Sequence, residues 1–250
     1  MGQPYIELID IHKSFSANHV LDGVNLTIEK GMVTCIIGKS GTGKSVLIKH
    51  IIGLIHADSG QVRVDGLPMN EMDNDQKHRF YKQISFMFQD NALFDFLTVW
   101  ENIALPLTEK KKMPMDQIRQ RVKEKMQALE ISKHENKYPG QLSGGIRKRV
   151  ALARALITEP VAVLFDEPTS GLDPVRRNSV HAMISTYQEE FGFTAVIVSH
   201  DIPKIFTISQ RVAMLDQGKI IYFGKSDEIF QTDNETVKAF ISGKETGKET

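Results

Sequence analysis

Two groups of residues in this chain have the types and spacing to handle a polyphosphate. The first is Gly38-Lys39-Ser40-Gly41-Thr42-Gly43-Lys44-Ser45, which satisfies the pattern G-x-x-x-x-G-K-[ST] at every fixed position. A polyphosphate must be wrapped by backbone N–H groups at close range, and positions without a Cβ at Gly38, Gly41 and Gly43 permit that approach. A helix starting near Lys44 would point the positive end of its dipole at the anion. Lys44 should then reach the terminal phosphates, and the Ser45 hydroxyl should ligate Mg²⁺. The second group is Asp166-Glu167, two adjacent carboxylates that end an apolar run, with His200 ending the next one. Such positions, at the carboxyl ends of central strands, are where open α/β sheets bind ligands. Two uncompensated charges beside a core strand also need a reason other than packing. His200 alone would more often be a structural histidine, and its place after the Asp-Glu strand reverses that preference. Gln89 ends a third short apolar run; it could reach a metal or an attacking water, whereas position alone favours a solvated loop amide.

These residues need strands and helices to hold them. Residues 32–37 predict a buried strand before the phosphate loop, and residues 46–55 a helix after it. Residues 5–11 and 24–28 alternate apolar and polar side chains, which predicts antiparallel strands with residues 12–19 as their connection. Phe15 falls in that connection, where its ring could stack on an adenine or pack into a turn. Residues 61–64, the Asp65-Gly66 turn and a short following segment predict a hairpin, and 84–88 a short strand. From about 91 to 160 the pattern becomes helical. A helix over 98–105 should stop at Pro106, and a second, capped near Asp116, carries Ile118, Val122, Met126 and Leu129 on one face. Lys110-Lys111-Lys112 reads as a solvated loop.

Leu142-Ser143-Gly144-Gly145 then opens a basic helix over 146–158. Ser143 is a suitable N-cap, and a serine with two glycines at a helix start makes a second anion-binding corner. Arg147, Lys148, Arg149 and Arg154 could form a nucleic-acid face, but Val150, Leu152, Ala153 and Leu156 favour a half-buried helix with charge outside. Continuous apolar runs at 161–165 and 194–198 predict parallel strands covered on both faces. A helix over 174–190, a hairpin around Gln217-Gly218 and short helices complete the chain, with mobile residues expected at 243–250.

Composition bounds the partners. The chain has 250 residues, and its 31 basic and 31 acidic side chains cancel, so no overall field draws it to nucleic acid or an anionic membrane. Membrane association is expected to come through a protein partner. No apolar run approaches the ~20 residues of a spanning helix, and residues 1–10 have no secretory pattern. Ile6 stands where a myristoylation signal needs Ser or Thr. Cys35 is the single cysteine, which excludes disulfides within the chain and points to a reduced, cytoplasmic compartment.

With the phosphate loop, Gln89, residues 142–145, Asp166-Glu167, residues 170–173 and His200 all present in that order, the chain resembles the ATP-binding cassette ATPases of ABC transporters over essentially its whole length. The resemblance implies one α/β domain over 1–250: a P-loop NTPase (RecA-like) core, an N-terminal antiparallel β subdomain, an inserted α-helical signature subdomain at about 91–160, and a C-terminal tail at about 232–250. It implies ATP and Mg²⁺. Phe15 matches the aromatic that stacks on adenine, Gly38 to Ser45 the phosphate-binding loop, and Gln89 the Q-loop that meets metal and water. Asp166 matches the Mg²⁺-proximal aspartate, Glu167 the catalytic glutamate, Asp173 the D-loop and His200 the switch histidine, with Lys44 on the γ-phosphate. In that family Ser143, Gly144 and Gly145 face the nucleotide of the other cassette in a head-to-tail dimer, so a second copy of the chain is implied.

Finer features narrow the resemblance. Ile146 in place of the usual Gln, residues 147–154, 165–174 and 97–102, and the stretch 237–243 are similar to the ATPases of Mla/Mce-type phospholipid transport. The acidic Gly-Pro ending of many of them is missing. This resemblance implies an integral-membrane permease on the cytoplasmic face of the inner membrane, an Mce-domain lipid-binding protein in the complex, and no nucleic acid. The region 91–107, with Phe94, Phe96, Leu97 and Trp100, is the expected permease groove, although core packing explains at least half of those residues. An ATPase of a small-solute importer, for amino acids for example, shares every catalytic motif; a non-transport ATPase acting on nucleic acid is disfavoured by the balanced charge.

Overall fold

A computed structural model describes residues 3–88, 92–109 and 113–243. Gln89, the Lys110–Lys112 run and the tail beyond Gly243 lie outside the described residues. The chain opens with a long hairpin of β1 (Pro4–Phe15) and β2 (Asn18–Glu29). Its turn is only Ser16-Ala17, so the connection expected over 12–19 is mostly strand. Polar residues keep the ladder there because their side chains find partners across the hairpin and on Asp58. Ser14 Oγ lies 2.8 Å from His19 Nδ1, Lys13 Nζ donates to Asp58 Oδ1 at 2.6 Å, and the Ser14 N–H donates to Asp58 Oδ2 at 2.7 Å. Phe15 ends β1 with its ring exposed.

β3 (Val33–Ile37) leads through the phosphate loop into α1 (Lys44–Ile51), which ends four residues before the sequence pattern suggested. Gly53, at φ 67, follows it and lets the chain turn back. β4 (Ser59–Val64) and β5 (Leu67–Pro68) then complete a four-stranded antiparallel sheet in the order β2-β1-β4-β5. Next comes α2 (Asn74–Lys82), a helix the hydrophobic pattern did not reveal because only Phe80 is buried along it. Its signal was a capping box, in which Asp73 accepts from the Gln76 N–H at 2.7 Å and Gln76 Oε1 accepts from the Asp73 N–H at 2.8 Å.

β6 (Ile84–Met87) enters the central sheet, and three helices follow: α3 (Val99–Thr108), α4 (Met115–Ala128) and α5 (Gly144–Leu156). The rest alternates: β7 (Ala162–Asp166), α6 (Pro174–Phe191), β8 (Thr194–Val198), the hairpin β9 (Arg211–Asp216) and β10 (Lys219–Lys225), and α7 (Glu235–Ile241). The six-stranded order is β10-β9-β3-β8-β7-β6, parallel except for β10 on one edge.

Period two explains why these strands are apolar along most of their length. Val33, Cys35, Ile37, Val163, Phe165, Ala195, Ile197, Val212 and Met214 enter one core with α3 to α6. Ile36, Ala162, Leu164, Val196, Val198, Ala213 and Leu215 enter the other, with α1 and the antiparallel sheet. A strand buried on both faces therefore presents alternate side chains to two different layers. Ile118, Val122, Met126 and Leu129 all join the first core, as their spacing predicts.

Two helix boundaries differ from the sequence pattern. α3 continues through Pro106 to Thr108: the proline forfeits only the N–H that would have donated to the Asn102 carbonyl, and the helix still closes with the Glu109 N–H donating to the Leu105 carbonyl at 3.1 Å. Pro114, not Asp116, occupies the N-cap of α4, and Asp116 sits in its first turn.

Asn102 of α3 is fully buried and ties down the preceding segment. Its Nδ2 donates to the carbonyls of Phe94 at 3.1 Å, Leu97 at 3.0 Å and Thr98 at 3.0 Å, while Oδ1 accepts the Phe94 N–H at 2.9 Å. Asn102→Ala would strand several of these backbone groups without a partner. We expect a loss of about 2–4 kcal/mol in denaturant unfolding; a loss below about 0.5 kcal/mol, the scale of an ordinary surface change, would mean that the segment is held by other contacts.

Candidate functional site

The carboxyl ends of β3, β7 and β8 meet at one edge of the central sheet, and the phosphate loop crosses in front of them. The loop's shape depends on two glycines. Gly38, at φ 150, lies against the β9 end so closely that a Cβ would collide with the Leu215 carbonyl oxygen. Gly43, at φ 98, faces β2, and a Cβ there would stand 2.7 Å from Val20 Cγ1. Gly43 is also the N-cap of α1, and no side chain caps that helix. Its first N–H groups are thus left facing the loop's concavity, as an anion site requires.

Lys44 is buried, and its ammonium donates to the Gly38 carbonyl at 2.9 Å and the Lys39 carbonyl at 2.7 Å. Burial holds its pKa below the ordinary lysine value against the opposing pull of Glu167 and Asp166. One residue on, Ser45 Oγ donates to Asp166 Oδ1 at 2.7 Å. Burial raises the Asp166 carboxyl above the ordinary range, and Glu167 adds to this, while the Ser45 hydrogen bond, Lys49 and Lys44 work the other way. A hydroxyl and a carboxylate in contact form a hard oxygen pair suited to Mg²⁺. Among the described residues no group of three His, Cys, Asp or Glu side chains is placed to hold a metal. An ion bound by Ser45 and Asp166 would therefore depend on phosphate oxygens and water for its remaining ligands, the usual arrangement for Mg²⁺ with a nucleotide.

Glu167 turns the chain out of β7 at φ 49, a left-handed conformation unusual for a residue with a side chain. Its N–H donates to the Val198 carbonyl at 3.0 Å, which fixes the turn to the end of β8. From there its Oε2 lies 3.3 Å from Nδ1 of His200, whose side chain is about half exposed. The Ser199 N–H donates to the Ile36 carbonyl at 3.1 Å, so the His200 loop is anchored to β3 as well. Gly38, Lys39, Ser40, Lys44, Glu167 and His200 line one cleft of about 570 Å³, large enough for a nucleotide's phosphates. Ile202, Phe240, Ile241 and Gly243 form its apolar wall. The contribution of α7 to that wall had no signal in the sequence, since it depends on how the chain end folds back.

Other residues singled out in the sequence stand apart from this cleft. Phe15 is on the hairpin whose Val20 touches Gly43, and Lys13 Nζ sits 5.4 Å from its ring centroid. Ser143 caps α5, accepting the Ile146 N–H at 3.4 Å, and neither it nor Gly144 or Gly145 lines the cleft. Ile146 packs half-buried against the first core. Asp173 caps α6, accepting the Arg176 N–H at 3.0 Å and pairing with the Arg176 guanidinium at 3.2 Å. Among the described residues, no helix is long and apolar enough to cross a membrane.

Comparison with known proteins is consistent with this geometry. The family model described as ABC transporter matches residues 21–170. The chain is 36% identical over 242 residues to a probable ribonucleotide transport ATP-binding protein, mkl, of Mycobacterium leprae, covering 97% of this chain and 70% of that protein. It is 33% identical over 246 residues to the intermembrane phospholipid transport system ATP-binding protein MlaF of Escherichia coli, covering 97% and 91%. It is 38% identical over 241 residues to the methionine import ATP-binding protein MetN 2 of Pseudomonas syringae, covering 94% and 72%. Among solved structures, the dimeric ATP-binding cassette MJ0796 in a post-hydrolysis state bound to ADP and Pi superposes with a TM-score of 0.77 at 33% identity, covering 88% and 98%.

The raised Asp166 carboxyl carries a stability consequence. A folded-state pKa above the unfolded one contributes stability only at low pH, and that contribution is lost as pH rises through the folded value. At neutral pH the ionised carboxylate therefore strains the fold. Asp166→Asn keeps an acceptor for Ser45 and should raise the melting temperature of the nucleotide-free protein at pH 7–8, with the gain shrinking in acid. A lower melting temperature at neutral pH would contradict this account.

Proposed function

The chain belongs to the ABC transporter family, as one of its ATP-hydrolysing subunits, and from that premise we propose that it pairs with a second copy of itself to drive a membrane permease for phospholipid. The observation that carries the lipid reading is the match to MlaF, which spans 97% of this chain and 91% of that protein. The MetN 2 relative has the higher identity, 38%, and favours small-solute import as the second reading, but 28% of its length has no counterpart here (100% less the 72% covered).

In the proposed reaction the γ-phosphate of ATP lies against Lys44 and the phosphate-loop N–H groups, with Phe15 stacked on the adenine. Glu167 takes a proton from water as the water oxygen attacks the γ-phosphorus, and the bond to the β,γ-bridging oxygen breaks to leave ADP and phosphate. Its pairing with His200 at 3.3 Å supports the histidine as the group that orients this pair and the γ-phosphate. Gln89 is assigned to the water and metal. Ser45 and Asp166 would hold Mg²⁺, which offsets the charge developing on the phosphates. Lys44 is pre-positioned for the same task and needs only to exchange two loop carbonyls for phosphate oxygens. Ser143, Gly144 and Gly145 are assigned to the partner copy's nucleotide, together with Asp173; none of the four lines its own cleft, which fits that division.

For the permease, a groove of about 380 Å³ lined by Phe86, Phe88, Phe94, Leu105, Pro106 and Arg154 lies beside β6 and α3. Phe94 and Phe96 form a tilted ring pair with centroids 5.6 Å apart, and Phe96 is 75% exposed. Exposed aromatics at a groove edge fit an apolar helix from a membrane protein. Trp100, by contrast, packs half-buried against the core. The complex would place the chain on the cytoplasmic face of the inner membrane, with an Mce-domain protein among its partners and no nucleic acid.

Glu167→Gln should bind ATP and accumulate as a MgATP-dependent dimer while turnover falls by about 10²-fold or more; hydrolysis at the parental rate would remove Glu167 from its role. The same variant, tagged and isolated with MgATP from detergent-solubilised membranes of its host, should bring a polytopic permease, an Mce-domain protein and bound phospholipid. A permease with a small-solute receptor would move the function to import, and soluble partners alone would overturn it. Phe94→Ala and Phe96→Ala should each reduce recovery of the permease about tenfold; unchanged recovery would place the docking groove elsewhere.

A further inference from the structure

Behind the His200 loop lies a buried ionic cluster to which the reaction scheme assigns no task. Asp201, next in sequence to His200, is 8% exposed, and its N–H donates to Ser199 Oγ at 3.0 Å, so its carboxylate is tied closely to the backbone that carries His200. Its Oδ1 accepts from Arg177 Nη1 at 3.4 Å. Its Oδ2 is buried with no hydrogen-bond partner among the described residues, and His181 Nε2 lies 3.7 Å away, beyond hydrogen-bonding reach. His181 is itself buried with both ring nitrogens unbonded, and burial lowers its pKa, which makes it a neutral ring at physiological pH. Arg177 is therefore the cation on which the Asp201 carboxylate relies.

Arg177 has a second attachment. Its Nε donates to the Leu172 carbonyl at 2.8 Å, immediately before Asp173. One rigid, planar guanidinium thus holds the loop that ends in Asp173 with one edge and the loop that begins with His200 with the other. Lysine cannot do this, since its ammonium is a single point at the end of a flexible stem. We propose that Arg177 and Asp201 form a positioning bridge that fixes the spacing between the Asp173 loop and the His200 loop, so that engagement of a second copy at Asp173 sets His200 in place for hydrolysis. This rests on the roles assigned to His200 and Asp173 in the proposed function. Arg177 and Asp201 touch no reacting atom; they act through His200.

The test is steady-state ATP hydrolysis by the full chain with Arg177→Met, Arg177→Lys, Asp201→Asn and the Arg177→Met/Asp201→Asn double variant, rates being taken per folded molecule. Arg177→Met and Asp201→Asn should each lower kcat about tenfold or more with KM for ATP changed less than about twofold, since nucleotide binding does not use the bridge. The double variant should be no worse than about threefold below the weaker single variant, because both substitutions remove one interaction. Arg177→Lys should recover part of the loss, reaching one acceptor of the two. A merely structural role would lower the melting temperature without separating kcat from KM. Turnover within about twofold of the parent for both single variants, or losses that multiply in the double, would overturn the bridge. His200→Ala is measured alongside: if it keeps the parental rate, the role given to His200 fails, whereas an inactive His200→Ala beside an unimpaired Arg177→Met refutes the bridge alone. Should Arg177→Met not fold, the isosteric Asp201→Asn decides.

Discussion

An ammonium group held out of water at the end of a strand is the constraint from which the other features follow. Lys44 can remain charged in that position only because Gly38 and Lys39 turn their carbonyls toward it and the Asp166 and Glu167 carboxylates supply a field across the cleft. Three of these partners are constrained in their own right: Asp166 is pushed toward its neutral form by burial, Glu167 is held in a left-handed conformation, and Gly38 sits where no Cβ could fit beside the neighbouring strand. An arrangement of this kind is poised for a polyanion with a cation, which would meet the unmet demands of the lysine, the helix N-terminus and the carboxylates together.

The sheet supplies the rigidity that such a site needs. Its parallel strands send alternate side chains into two separate cores, so β3, β7 and β8 cannot shift in register without exchanging one core's residues for the other's. Their ends are then joined by backbone bonds, Glu167 to Val198 and Ser199 to Ile36, which carry that rigidity into the loops. The less regular parts lie where partners are expected: the aromatic segment before α3, held from beneath by Asn102, and the wall that α7 adds to the cleft.

The same architecture separates the two phosphate-facing corners of one chain. The corner at α1 lies at the sheet edge with the acid and the histidine, whereas the one at Ser143 starts a helix packed in the other layer. Within one copy the Ser143 corner does not line the cleft that the α1 corner lines. That separation is what the proposed head-to-tail pairing rests on, in which each nucleotide would be completed by a second chain. It also fits the proposed Arg177 bridge, which would carry the effect of a partner from one loop to another.

Local chemistry made much of this legible in the amino-acid order. Gly38, Gly43 and Lys44 stand at consecutive turns of one loop, and Asp166, Glu167 and His200 at strand ends, so short-range rules of spacing and burial placed them. The continuous apolar runs announced a sheet covered on both faces for the same reason. Capping at Ser143 was equally local, and the cap at Asp173 and the box at Asp73 and Gln76 carry local signals of the same kind. Other features depended on groups far apart along the chain. The hairpin extends past Ile11, where Lys13 pairs with Asp58 of a later segment. Phe240 and Ile241 share a cleft with Lys39 across some two hundred residues of sequence, and Arg177 finds Asp201 only once α6 has packed beside the His200 loop. Sequence pattern assigns a residue its backbone state and its buried or exposed face, both set by near neighbours; which distant groups it then touches is decided by the packing of whole elements, a collective minimum that no local spacing encodes.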